Sequence, residues 1–353
     1  MRTIHISDAK PGLKLARAVL DEDGKTLLKE DMVLTTNFIR RLKRLNCTYI
    51  DIDDQSLEDN SRFNKIISEQ TRIQAVDCMK EITECIRYGR IINLDSVKTV
   101  LYSFIEEIIN KKEIMLNLKN IQSYDDYTFG HCISVTAVSI MIGMSLGYNK
   151  DKLFELGLGV FLHDVGKIFI PHDIINKVGK LTDAEFDIVK RHPWHGYTIL
   201  YKTPGITINS AFVSLQHHEK YDGTGYPYRL KQDQICEFAR ICAIADVFDA
   251  LSSRRPYRDK LPAHQVFEYL LRNIGTHFDP YILDKFIRQI VIFPEGTKVE
   301  LNNGLSGFVI KQNDLYPARP VVRVSWDKGR ELAEPFVINL VNEPSLAIVE
   351  VVS

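Results

Sequence analysis

The ten histidines of this chain are unevenly placed, and two pairings stand out: His163-Asp164 and His217-His218. His131, His192 and Asp246 are distributed around them. Neutral imidazole with carboxylate is the ligand set for iron, manganese, zinc, cobalt or nickel, whereas magnesium and calcium want mainly oxygen. Asp246 follows the apolar run Ile241-Cys242-Ala243-Ile244-Ala245, where an unpaired carboxylate would be costly to bury. A metal would resolve that cost. Each residue alone has a plainer reading. A single histidine at a helix end, such as His131 or His192, more often caps the helix or answers its dipole, and Asp246 could be a buried, hydrogen-bonded aspartate. His217-His218 resists that reading, because neighbouring helical residues point about 100° apart and share a target only where the helix unwinds. The glycine-rich break that follows supplies the opportunity.

The elements that must carry these residues can be read from periodicity. Apolar residues at three- and four-residue spacing fill the middle of the chain, Ile66, Ile67, Ile73, Val76 and Met79 among them. Cys132 to Leu146 reads as a buried helix, and Leu153 to Leu162 as an apolar helix that His163 ends. Thr182-x-x-Glu185 is a capping box opening a helix expected to end near Pro193, with His192 at its end. A helix containing Phe212, Val213 and Leu215 leads to His217-His218, and Asp222-Gly223-Thr224-Gly225-Tyr226-Pro227 separates it from the next.

Towards both ends the period changes. Tyr49 to Ile52 alternates like a strand after a short basic helix, Asn37 to Leu45. Thr297 to Leu301, Gly307 to Lys311, Pro320 to Ser325 and Ala347 to Val351 are β-rich, with Asn303-Gly304 and Lys328-Gly329 as hairpin signals. The expected fold is mainly α, a helical bundle with small β-rich N-terminal and C-terminal modules. The expected division is an N-terminal module (1–60), a helical connector (61–122), a catalytic domain (123–290) and a C-terminal β-barrel-like module (291–353).

Taken in order, His131, HDVGK (His163 to Lys167), His192, HHEKYDGTGYP (His217 to Pro227) and IADVFDALSSRRPYR (Ile244 to Arg258) resemble the HD-GYP phosphodiesterases, a subgroup of the HD metallohydrolases. The resemblance runs from Ser123 to Arg288. It implies an HD-type helical bundle that hydrolyses cyclic di-GMP to pGpG and/or GMP. It also implies that His131, His163, Asp164 and Asp246 hold one metal, with Asp164 bridging to a second completed by His192, His217 and His218. Asp164 and Lys167 would be catalytic. Lys167 would also contact phosphate, as would Arg255 and Arg258, whose guanidinium groups suit bidentate contact. Gly225, Tyr226 and Pro227 would border the substrate, in a loop linked within the family to binding diguanylate cyclases. Glu219 is expected to orient a ligating histidine. The implied cofactors are two divalent transition metals, iron or manganese first, with zinc or nickel acquired on purification.

Metals of such a pair, about 3.5–4 Å apart, lower the pKa of a shared water and neutralise phosphate charge. The bridging hydroxide would attack phosphorus in line with the 3′-oxygen, while Lys167 and the arginines offset the growing charge. In one place the chain departs from some members of the family. Where they carry a glutamate four residues before the first histidine and bind a third metal, this chain has Tyr127, with Asp125 and Asp126 off that face. Two metals are therefore expected, and pGpG could accumulate. His5, His172, His195, His264 and His277 fall outside the pattern and read as structural or surface residues.

Composition bounds the rest. With 353 residues the chain can fold two or three domains. Hydrophobic residues at 45% and charged residues at 26% are ordinary for a soluble protein. A formal net charge of −1 gives no global attraction to a nucleic acid polymer or an anionic membrane. The cluster Arg40, Arg41, Lys43 and Arg44 reads as a solvated helix face. No apolar run approaches the roughly 20 residues of a membrane span, and the N-terminus lacks a signal-peptide core. The six cysteines form no CxxC pair and read as core residues of a reducing compartment, so the cytoplasm is expected. Two alternatives stay open: an HD phosphohydrolase acting on another nucleotide, or a catalytically weak cyclic di-GMP receptor that scaffolds cyclases. The N-terminal module and helices 61–120 could relay a signal or form a homodimer interface, the plainer reading being that they pack onto the bundle.

Overall fold

The computed structural model describes residues 2–6, 9–20, 26–45, 47, 49–53, 67–110, 116–117, 127–175, 177, 179–253, 261–313 and 315–352. Strands β1 (Arg2–His5), β2 (Lys14–Leu15), β3 (Val19–Leu20) and β4 (Thr26–Leu28) precede helix α1 (Thr36–Arg44), and β5 (Tyr49–Asp53) follows it. Thr35 starts α1 by accepting a hydrogen bond from the Phe38 amide. Ile39 and Leu42 lie on its buried face, so Arg40, Arg41, Lys43 and Arg44 are left in solvent. β5 is the middle strand of an antiparallel β1-β5-β2 sheet. Leu15, Leu28, Leu34, Leu42 and Ile50 close a small core under it.

The helices follow: α2 (Glu69–Arg87), α3 (Leu94–Ile109), α4 (Tyr127–Ser145), α5 (Lys150–Phe161), α6 (His172–Ile175), α7 (Asp183–Val189), α8 (His192–Lys202), α9 (Ile208–Gln216), α10 (Glu237–Ser252), α11 (Ala263–Arg272) and α12 (Pro280–Ile287). Strand β6 (Leu116–Asn117) precedes α4 and pairs in parallel with β7 (Ile290–Val291) after α12. α4 and α10 are apolar nearly all round, and such helices belong at a centre. Ile133, Val135, Ile140, Ile241, Ile244 and Phe248 are fully buried there. α4 packs on α5 and α10, and α10 also meets α9. The capping box at Thr182 and Glu185 forms as the spacing predicts. The helix it opens stops earlier than expected, at Val189, and His192 begins α8 instead of ending α7. Pro193 explains the difference, since a residue without an amide hydrogen is tolerated in a first turn and not in a helix interior.

At the C-terminus β8 (Lys298–Leu301), β9 (Leu305–Lys311), β10 (Val321–Asp327), β11 (Arg330–Asn339) and β12 (Ile348–Val351) form one antiparallel sheet in the order β11-β10-β9-β8-β12. Gly304 and Gly329 turn the two hairpins at positive φ, as their positions predict. β11 escaped the sequence reading. Its Glu, Ala and Pro335 are poor strand formers, and the edge position is where a proline costs no ladder bond.

Candidate metal centre

Segments distant along the chain meet in the bundle. α4 contributes His131, the turn after α5 His163 and Asp164, the start of α8 His192, the end of α9 His217 and His218, and α10 Asp246. Ligand atoms fall into two groups, His131–His163–Asp164 and His192–His217–His218, each within 4.8 Å of one another and each able to hold a cation. Asp164 faces both. Its Oδ2 lies 3.4 Å from His163 Nε2 and 3.9 Å from His131 Nε2. Its Oδ1 lies 3.4 Å from His192 Nε2 and 3.7 Å from His217 Nε2. Asp246 Oδ1 sits 3.1 Å from His131 Nε2. His163 Nε2 and Asp164 Oδ1 are buried and make no hydrogen bond. Leaving such an atom unsatisfied costs about 1–3 kcal/mol, and a divalent transition metal is the partner that suits adjoining nitrogen and oxygen donors.

Helix ends do the orienting. The last carbonyls of a helix lack intrahelical partners. His163 Nδ1 is 2.7 Å from the Val160 carbonyl, His192 Nδ1 2.7 Å from that of Val189, and His217 Nδ1 2.9 Å from that of Ser214. An Nδ1–H donated to a carbonyl leaves Nε2 with its lone pair free for a cation. His131 stands mid-bundle and is held differently, with Nδ1 2.7 Å from Asp249 Oδ2.

Burial lowers the pKa of His163 and His217, takes His192 down to about 4 and takes His218 down to about 3. These rings are neutral near pH 7, the form that ligates. For His131 burial also pulls downward, but hydrogen bonds to Asp246 and Asp249 outweigh it and lift the ring to about 9. Burial would raise Asp164, yet the Lys167 ammonium beside it holds its carboxyl well below the usual range. Lys167 forms an ion pair with Asp164 Oδ2 and keeps 29% of its side chain exposed, so it can still be reached from outside.

Gly225, Tyr226 and Pro227 lie in the loop after α9, where the Tyr226 ring stacks on His218 and Pro227 is exposed. Arg255 and Arg258 lie outside the described residues, as do Asp125 and Asp126, and the side chain of Tyr127 is likewise not described. Glu219 does not orient an imidazole. Its buried carboxylate accepts from the amides of Tyr228 at 2.7 Å and Leu230 at 3.1 Å, because the chain has left the helix and the loop folds back over it. Asp249 was missed. The available signal was the Asp246-x-x-Asp249 spacing, which puts two carboxylates on one face of an apolar helix. His195 packs against Phe169 and His277 stacks on Phe278, outside both groups.

The family model for the HD domain matches residues 103–282, about half of the chain. The chain belongs to the HD domain family. That match takes in both imidazole groups with Asp164, Asp246 and Asp249. Residues 298–353, which form the C-terminal sheet, match a KOW domain associated with HD domain. The cyclic di-GMP phosphodiesterase PA4108 of Pseudomonas aeruginosa is 32% identical to this HD domain chain over 79% of the chain and 66% of its own length. The 3'3'-cGAMP-specific phosphodiesterase 2 of Vibrio cholerae is 36% identical over 49% of the chain and 34% of its own length. The chain thus spans less than two thirds of the length of these relatives. The solved structure of Bd1817, a HDG"Y"P protein from Bdellovibrio bacteriovorus, matches with a TM-score of 0.51 at 18% identity, covering 81% of this chain and 98% of that one. At that identity the likeness concerns the fold. Among the described residues no helix is long and apolar enough to cross a membrane.

Proposed function

We propose that this HD domain chain is a metal-dependent phosphodiesterase that cleaves cyclic di-GMP to pGpG and/or GMP. The observation that carries this reading is Asp164: its two oxygens face different imidazole groups, and Oδ1, like His163 Nε2, is buried without a hydrogen-bond partner. In the proposal His131, His163, Asp164 and Asp246 hold one divalent metal. Asp164, His192, His217 and His218 hold a second, with iron or manganese suiting the donor set. When bound, such a pair lowers the pKa of water and neutralises phosphate charge. The side chains of this chain position and balance. Nδ1 contacts fix four of the rings before substrate arrives, so little reorganisation is left to do. Lys167, part exposed beside Asp164, meets a non-bridging phosphate oxygen and offsets charge growing on phosphorus. Gly225, Tyr226 and Pro227 border the substrate, and Arg255 and Arg258 add phosphate contacts. The proposal extends to the four-part division of the chain, to the cytoplasm as its compartment, and to diguanylate cyclases as partners on the exposed Pro227–Tyr228 edge.

A second substrate, 3'3'-cGAMP, is supported by the Vibrio relative, whereas the cyclic di-GMP relative covers more of the chain. The test is turnover of both dinucleotides by chain loaded anaerobically with Mn²⁺ or Fe²⁺, with products separated chromatographically. The expected result is faster opening of cyclic di-GMP. Lys167→Met should lower turnover about a hundredfold at unchanged metal content. Metal-loaded chain that binds cyclic di-GMP and cleaves neither dinucleotide would replace the enzyme with a receptor.

A further inference from the structure

The five imidazoles of the centre are not held alike. His131, His163, His192 and His217 each have Nδ1 pinned by a carboxylate or a helix-end carbonyl. His218 is the exception: among the described residues, no hydrogen bond reaches its ring. The χ2 torsion of a histidine is broad, so a ring without such a bond must be fixed by packing. Three rings pack against it. His217 lies 4.0 Å away and His192 5.0 Å away, both members of the same group. The third is Tyr226, with centroids 4.7 Å apart and planes inclined by 26°, an offset stack from outside the group.

The loop delivers that ring by backbone contacts on both sides of it. The Tyr226 amide donates to the His218 carbonyl at 3.2 Å. Gly225 lies so close to the turn below that an added Cβ would sit 2.3 Å from the Lys220 nitrogen and 2.5 Å from Glu219 Cα. Only glycine permits this approach. Beyond the ring, Glu219 accepts from Tyr228 and Leu230. Before it, the amides of Tyr221 and Asp222 donate to the carbonyls of His277 and Thr276 at 3.1 and 2.8 Å. Phe186 meets the Tyr226 ring edge-on, with centroids 6.2 Å apart.

We propose that Tyr226 is a positioning residue of the metal centre: its ring, set by Gly225 and Glu219, holds the His218 imidazole in the orientation that completes the His192–His217–His218 group. The glycine allows the loop to touch the turn, and the tyrosine converts that touch into ring orientation. The loop and the second cation are therefore coupled, and whatever displaces the loop loosens that ion. This rests on the reading that the group holds a cation.

The experiment is Mn²⁺ titration calorimetry on the full chain, with metal content measured after desalting. His218→Ala, which removes a donor, is the reference and should lose one ion. Tyr226→Leu should weaken the same ion about 10- to 100-fold, the size seen when groups behind a ligand are removed. Gly225→Ala should follow it, and Tyr226→Phe, which keeps the ring, should bind as wild type does. Metal-free melting curves monitor folding, and Tyr226→Met provides a second non-aromatic replacement. Wild-type affinity in Tyr226→Leu overturns the proposal. So does equal weakness of Tyr226→Phe, which would assign the effect to the hydroxyl. Loss of metal only through unfolding in both non-aromatic variants also overturns it, since the ring would then serve the fold. Unchanged stoichiometry in His218→Ala would instead remove the cation from this group, a distinct outcome.

Discussion

At His131 a proton would compete with the proposed cation for one nitrogen. Asp246 Oδ1 lies 3.1 Å from Nε2 and Asp249 Oδ2 2.7 Å from Nδ1, so carboxylates flank both ring nitrogens. Burial works against the charged ring, but the two aspartates raise its pKa to about 9. Below that pH the ring carries both protons and must release one to ligate. Affinity for Mn²⁺ should therefore rise with pH, by up to about tenfold per unit, and level off above about 9. Calorimetry in buffers of different ionisation enthalpy should find about one proton released on loading near pH 7. His192, lowered to about 4, and His218, lowered to about 3, are already neutral and add nothing. Asp249→Asn removes one of the carboxylates, so the levelling point should move to lower pH. An affinity flat between about pH 6 and 9 would rule this competition out.

At the scale of elements, the centre depends on how closely a short 3₁₀ helix, Val165–Phe169, can pack on the first turn of α8. A Cβ at Gly166 would sit 2.0 Å from the His192 carbonyl oxygen and 2.6 Å from the Gly196 nitrogen. Backbone cannot yield as a side-chain tip can. Gly166→Ala should therefore cost about 1–3 kcal/mol, in the manner of overpacking, and move Asp164 away from His192. Urea unfolding with and without Mn²⁺ checks both effects: a lower midpoint, and a smaller gain from the metal than in wild type. A full metal-dependent gain in the variant would mean that the approach of the two elements does not set the centre.

Across the whole molecule, the two β modules stand in different energetic relations to the bundle. Val299, Leu301, Val309, Val322 and Val324 of the C-terminal sheet, with Leu340 just past β11, belong to the same buried cluster as Ile282, Phe286, Ile290 and Phe293. The N-terminal module closes over a cluster of its own. Removing residues 298–353 should therefore expose apolar surface on the bundle. A loss of about 2 kcal/mol would lower its melting temperature by about 4–8 °C. Removing residues 1–53 should leave that temperature unchanged, and thermal melts of the two truncated chains decide. Equal effects would mean that the separate cores are coupled.

Residue type and period alone determined a good deal: a helical bundle, strands at both ends, and a nitrogen-and-oxygen donor set gathered in His163-Asp164 and His217-His218. Capping at Thr182 and the hairpin glycines were legible too, because caps and turns are decided within four residues. Tertiary structure alone decided that the two oxygens of Asp164 face different groups, that Asp249 backs a histidine 118 residues away, that Glu219 serves the loop, and that Tyr226 lies on His218. These are contacts between helix ends and loops brought together by burial, and no local periodicity encodes which buried donor will meet which acceptor.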